Sequence, residues 1–149
     1  MKREVKIIIT EDDQGHATLI KKNLRRAGIK NDIIHFSDGQ TTLDYLKKEG
    51  DGPKRKSGIP HLLLLDLKMP GISGLDVLKQ IKEDDELKKI PVIILTTTDN
   101  EVEIEKCHKL GCSNYVTKPV AYDKFIETIK QLGLFLFFLQ IPNINGHRI

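Results

Sequence analysis

Five short runs of β-branched residues and leucine, each followed by a stretch with helical spacing, constrain this chain more than any other feature. "VKIIIT" (5–10), "DIIHF" (32–36), "HLLLLD" (61–66), "PVIILTT" (91–97) and "SNYVTKP" (113–119) read as strands. After the first, Ala17, Ile20, Leu24 and Ala27 keep one helical face and Gly28 supplies a stop. "GQTTLDYLKKEG" reads as a short second helix, and Leu75, Leu78 and Ile81 form the stripe of a third. The fourth, "TDNEVEIEKCHKLG", is predicted to start on a Thr98–Glu101 capping box and to end at Gly111. A fifth begins near Tyr122 and buries Phe125, Ile129 and Leu132. Strict strand–helix alternation implies an α/β fold: a doubly wound, five-stranded parallel sheet with helices on both faces. The unbroken "HLLLL" suits a strand covered on both sides.

In such sheets ligands gather at the carboxyl ends of the strands. The first strand ends in Glu11-Asp12-Asp13, the third in Asp66, the fourth in Thr96-Thr97 and the fifth in Lys118-Pro119. With the first and third strands adjacent, Glu11, Asp12 and Asp66 converge. Two like charges ~4 Å apart repel by about 4 kcal/mol at an effective dielectric near 20, so three carboxylates there call for a cation. Oxygen ligands with room for water suit Mg²⁺ or Mn²⁺ rather than zinc. A lysine and a threonine hydroxyl nearby suit a phosphoryl group, one neutralising charge and the other donating a hydrogen bond. The chemistry implied is phosphoryl transfer onto the Asp66 carboxylate as nucleophile.

At 149 residues the chain is expected to be one domain, 1–149. Its 24 basic and 21 acidic residues leave a net charge of only +3, giving no strong pull on nucleic acid. No secretory segment precedes Cys107 and Cys112, so reduced cysteines in a soluble, cytoplasmic protein are expected. A zinc site is rejected, because only His108 lies close enough to help them. The longest apolar tract, "LGLFLFFL" (132–139), is far short of the ~20 residues a membrane span needs. The Gly-, Pro- and Lys-rich "KKEGDGPKRKSGIP" (47–60) reads as a solvated basic loop and does not match a phosphate-binding loop.

"TEDD", "LLLLDLKMPGISG", "ILTTT" and "YVTKP" together resemble the CheY-like receiver domain of two-component response regulators, over residues 5 to about 132. The intervals from Asp66 to Thr96 and from Thr96 to Lys118 agree with that family. The resemblance implies the flavodoxin-like receiver fold with strand order 2-1-3-4-5. It also implies that Asp66 is the phosphoacceptor, and that Glu11, Asp12, Asp66 and the backbone carbonyl of Lys68 hold Mg²⁺. Thr96, with Thr97 beside it, is implied as the switch hydroxyl, Tyr115 as the switch aromatic and Lys118 as the phosphate-binding lysine. The Lys118–Pro119 peptide is implied to be cis. Asp13 falls on a variable position and is left out of the metal site. Lys68 and Thr98 flank the approach of water to Asp66, which suggests a phosphoryl lifetime of minutes or longer.

After Tyr122 most of the remaining sequence belongs to the fifth helix, so a stand-alone receiver acting through protein contacts is expected. Leu134, Phe135, Leu136, Phe137, Phe138, Leu139 and Ile141 are apolar nearly all round that helix, more than a monomer's surface helix buries. Residues 133–149 are therefore predicted to form a homodimerisation arm, with Leu134, Phe135, Phe137, Phe138 and Ile141 at the contact. A fold-back onto the domain's own core is the alternative. The long loop before the third strand and the terminal "FFLQIP" resemble the response regulators that partner bacterial phytochromes. That resemblance implies a light-regulated sensor histidine kinase as phosphodonor. Two rival functions remain: a phosphorelay shuttle without its own output, and a dimeric interaction module that works without phosphorylation. A phosphatase of similar fold is disfavoured, since it would need a catalytic acid where Lys68 stands. The chain is therefore expected to catalyse only its own phosphorylation and slow dephosphorylation.

Overall fold

The structure, a computed structural model, describes residues 1–145. The end of the predicted arm, from residue 146 onward, lies outside the described residues. In chain order the elements are β1 (Lys6–Thr10), α1 (Gln14–Arg26), β2 (Ile33–Phe36), α2 (Gly39–Lys47), β3 (His61–Leu65), α3 (Gly74–Glu83), β4 (Val92–Thr96), α4 (Glu101–Leu110), β5 (Asn114–Thr117) and α5 (Tyr122–Leu136). The strands form one parallel sheet in the order 2-1-3-4-5. Every residue of β3 and β4 is buried, as the unbroken apolar runs predict for central parallel strands.

Alternating side chains send the sheet into two separate cores. On one face Ile7, Ile9, Leu62, Leu64, Ile93 and Leu95 meet Ile20 and Leu24 of α1 and Phe125, Ile129 and Leu132 of α5. On the other, Ile8, Leu63, Leu65, Val92 and Ile94 meet Leu43 and Leu46 of α2, Val77, Leu78 and Ile81 of α3 and Cys107 of α4. Cys107 and Cys112 are buried free thiols. Gly133 lets α5 close on α1, since a Cβ there would meet Ala27 Cβ at 2.7 Å. Among the described residues no helix is long and apolar enough to cross a membrane.

Three local expectations give way. The α4 cap is Asn100, whose Oδ1 accepts from the amides of Val102 (2.9 Å) and Glu103 (3.3 Å). Thr98 and Glu101 form no capping box, because the helix starts at Glu101 and asparagine is as good an N-cap as any residue. The basic loop is not wholly solvated. Arg55 is buried, donates from Nε to Leu46 O at 2.6 Å and from a terminal nitrogen to Asn145 Oδ1 at 2.7 Å.

The C-terminal segment also folds back in part. Leu136 is buried, and Leu139 and Ile141 are partly buried against the α1–α5 core, so Ile141 is in part packed on its own domain. Beyond them the chain passes to the opposite face, where Ile144 is fully buried among the residues of the α2–α4 core. Gly58 N donates to Ile144 O at 2.7 Å, and Asn145 N to Glu86 Oε2 at 2.9 Å, fastening this strap to the loop before β3 and to the connection between α3 and β4. Leu134, Phe135, Phe137 and Phe138 remain exposed.

Candidate functional site

The register brings the acidic residues together. Thr10 of β1 pairs with Leu65 of β3, so the next residues, Glu11 and Asp66, leave the sheet side by side. Their backbones are tied in place: Asp66 N donates to Thr10 O at 3.1 Å and Glu11 N to Phe36 O at 3.0 Å. Across the other boundary Thr96 pairs with Thr117, and Lys118 N donates to Thr96 O at 2.6 Å. The loop after Asp66 closes tightly because position 74 is glycine. A Cβ there would meet Asp66 O at 2.2 Å and Leu67 Cα at 2.6 Å, so any other residue must push the loop aside.

Glu11, Asp12 and Asp66 each place a carboxylate oxygen within 4.8 Å of the others. Glu11 and Asp66 are buried and Asp12 is exposed, which leaves one side open to water. Asp13 stands apart as the α1 cap, its Oδ1 accepting from His16 N at 3.0 Å, and that hydrogen bond holds its carboxyl below the usual range. Lys118 is buried with its ammonium bonded to Glu11 Oε1 and 3.5 Å from Asp66 Oδ2. Burial, with the Asp66 carboxylate adding to it, nonetheless pushes Glu11 up to about 7 against the pull of Lys118. One ammonium does not satisfy three carboxylates. This donor set, hard oxygens with an open side, fits Mg²⁺ or Mn²⁺.

A second observation fits a phosphoryl group. Thr96 is fully buried and its Oγ1 has no hydrogen-bond partner, an arrangement that ordinarily costs about 1–3 kcal/mol. Thr97, next to it, is exposed. Tyr115 is half-buried against the α2–α4 core, and its hydroxyl donates to Thr98 O at 2.8 Å. Burial pushes that phenol up to about 12. Lys68 N donates to Asp66 Oδ1 at 3.2 Å, while the Lys68 side chain is exposed.

Two findings depart from expectation. The Lys118–Pro119 peptide is trans, as is every peptide bond among the described residues. Trans is the ordinary preference of an X–Pro bond by about 0.5–1 kcal/mol. His16 was not anticipated: its Nδ1 lies 3.2 Å from Lys118 Nζ. The available signal was its place one helical turn after Asp12.

An open parallel sheet with an acidic cluster, a buried lysine and an unpaired hydroxyl at its carboxyl edge defines a flavodoxin-like signalling receiver. The chain belongs to the response regulator receiver domain family, which matches residues 7–130. It is similar to a response regulator receiver domain from Rhodospirillum rubrum, with 47% identity, a TM-score of 0.88, and 95% of this chain and 99% of that one covered. The phosphorylated cyanobacterial phytochrome response regulator RcpA aligns at 32% identity and TM-score 0.84, covering 93% and 98%. Response regulator Rcp1 from Synechocystis is 34% identical over 112 residues, three quarters of each chain. A Mn²⁺-bound crystal structure of Rcp1 aligns at TM-score 0.82 and 28% identity, covering 92% and 98%.

Proposed function

We propose that this receiver accepts a phosphoryl group on Asp66 from a sensor histidine kinase of the phytochrome type and signals through protein contacts. The observation that carries the reading is the unpaired buried hydroxyl of Thr96 beside a carboxylate cluster that Lys118 only partly neutralises. The likeness to a phosphorylated phytochrome response regulator supports the choice of donor. Glu11, Asp12, Asp66 and the Lys68 carbonyl would hold Mg²⁺ or Mn²⁺, which when bound offsets charge on the carboxylates and on the incoming phosphoryl oxygens.

An Asp66 carboxylate oxygen forms the new O–P bond as the P–N bond of phosphohistidine, or the P–O bond of acetyl phosphate, breaks and imidazole or acetate departs. Lys118 offsets the charge of the transferred group, and Thr96 Oγ1 gains the hydrogen bond it lacks. Tyr115, its hydroxyl now bonded to Thr98 O, would turn inward as Thr96 moves. Thr97 stands at the rim. The exposed Lys68 and half-buried Thr98 shield the group from water, giving a lifetime of minutes; a half-life under ten seconds, unchanged in Lys68→Ala, contradicts that.

The test is intact-mass spectrometry after incubation with acetyl phosphate and Mg²⁺. One added phosphoryl group is expected, absent in Asp66→Asn and without metal, and slowed ~100-fold or more in Lys118→Met. No gain under any condition would favour a phosphorylation-independent interaction module.

The exposed Leu134, Phe135, Phe137 and Phe138 support a homodimer as the assembled form in a cytoplasmic setting. Light scattering of Leu134→Asp/Phe138→Asp should then give half the wild-type mass; an unchanged mass contradicts the dimer and leaves a monomeric phosphorelay shuttle.

A further inference from the structure

The ammonium of Lys118 has three protons to donate and three acceptors around it: Glu11 Oε1, Asp66 Oδ2 at 3.5 Å and His16 Nδ1 at 3.2 Å. A lysine ammonium only donates, so His16 must present the lone pair of Nδ1 and carry its proton on Nε2. That nitrogen faces Asp13 Oδ2 at 4.0 Å, on the side where an N–H is favoured. The ring is held from behind by Phe125 of α5, with centroids 5.2 Å apart and planes tilted by 35°. Phe125 is itself buried, so the half-buried imidazole rests on α5 with one nitrogen on the lysine.

The three acceptors differ in what else they do. Glu11 and Asp66 belong to the carboxylate cluster, and Asp66 carries the reaction. His16 alone has no other task in the transfer. We propose that His16 is a positioning residue for Lys118: it accepts one hydrogen bond from the ammonium and, together with Glu11, fixes where Nζ stands relative to Asp66. Without it the ammonium, already bonded to Glu11, leans wholly on the two carboxylates and competes more strongly with a cation for them. The inference rests on the phosphoacceptor reading above.

Replacing His16 by Leu keeps an apolar body against Phe125 but removes the acceptor; replacing it by Asn puts Oδ1 where Nδ1 stood. Acetyl phosphate uptake and Mg²⁺ affinity, the latter from isothermal titration, are measured for both and for the wild type. His16→Leu should lower the maximal phosphorylation rate about tenfold, equivalent to ~1.4 kcal/mol, and weaken Mg²⁺ binding. His16→Asn should restore both to within about threefold, a loss under ~0.7 kcal/mol. Wild-type behaviour of His16→Leu overturns the proposal. Equal loss in Leu and Asn overturns it as well, in favour of ring packing alone. If the wild type takes up no phosphoryl group, the phosphoacceptor reading fails first; a Mg²⁺ affinity that drops in Leu and recovers in Asn still identifies the contact.

Discussion

The two ends of the sheet bury polar groups to opposite effect. At the amino edge His61 is fully buried, its Nδ1 bonded to Ile59 O at 2.8 Å and its Nε2 to the Tyr45 hydroxyl at 2.9 Å. Asn31 nearby donates to Lys2 O and Val5 O, and Arg55 fastens the loop and the strap through Nε and one terminal nitrogen while its buried Nη1 has no partner among the described residues. These groups hold one another, and burial drives His61 down to about 4, so it stays neutral. At the carboxyl edge Glu11, Asp66 and Lys118 are charged groups in unequal number, and Thr96 Oγ1 has no partner. The His61–Tyr45 and Asn31 contacts are complete and fix the fold, whereas unbalanced carboxylates around an unpaired hydroxyl are held ready for a ligand.

Substitutions at each edge sharpen that contrast. The largest effect is expected at Ile144, the strap residue sunk in the α2–α4 core. Ile144→Ala should cost about 2–5 kcal/mol in urea unfolding while leaving phosphoryl uptake unchanged; a loss below about 0.5 kcal/mol would mean the strap adds little to the core. Next comes the loss of one hydroxyl at either edge. Tyr45→Phe leaves His61 Nε2 without its donor and should destabilise by about 1–3 kcal/mol. Thr96→Val removes a hydroxyl that has no partner and should be neutral or stabilise by up to about 1 kcal/mol. Destabilisation by both to the same degree would erase the distinction between the edges.

The smallest effect is in the pH dependence of the metal-free protein, and the two edges carry opposite signs. His61 lies below its ordinary 6.5, so the stability gained by keeping it neutral is complete above about 6.5 and lost as pH falls toward 4. Glu11 lies above its ordinary 4.5, so its contribution is greatest below about 4.5 and lost as pH rises through about 7. Between about 4.5 and 6.5 they oppose each other. Urea midpoints should therefore change little there in the wild type and fall more steeply toward acid in Glu11→Gln. Parallel curves for the two proteins would remove Glu11 from the balance.

Much of this was legible in the chain. The apolar runs and helical spacings gave the five strands and five α-helices, because central parallel strands are apolar throughout and α1, α3 and α5 each bury one stripe. The meeting of Glu11, Asp12, Asp66 and Lys118 was legible because these residues directly follow strands, where register brings them together. Three things were not. His16 reads as an ordinary residue of α1 until α5 places Phe125 behind it. Arg55 looks like one cation of a solvated loop, since nothing local announces that Leu46 O and Asn145 will receive it. The destination of Ile144 depends on the strap crossing to the far face, which no local pattern encodes.

The most direct test of the central claim, that the carboxyl edge awaits a ligand, is thermal unfolding with and without Mg²⁺ and beryllofluoride, a phosphoryl mimic. A ligand bound only by the folded state stabilises it by about 2.7 kcal/mol at a hundredfold excess over Kd. The wild type and Tyr45→Phe should shift upward by equal amounts, and Asp66→Asn should not shift. An unmoved wild type, or an equal shift in Asp66→Asn, would contradict the account.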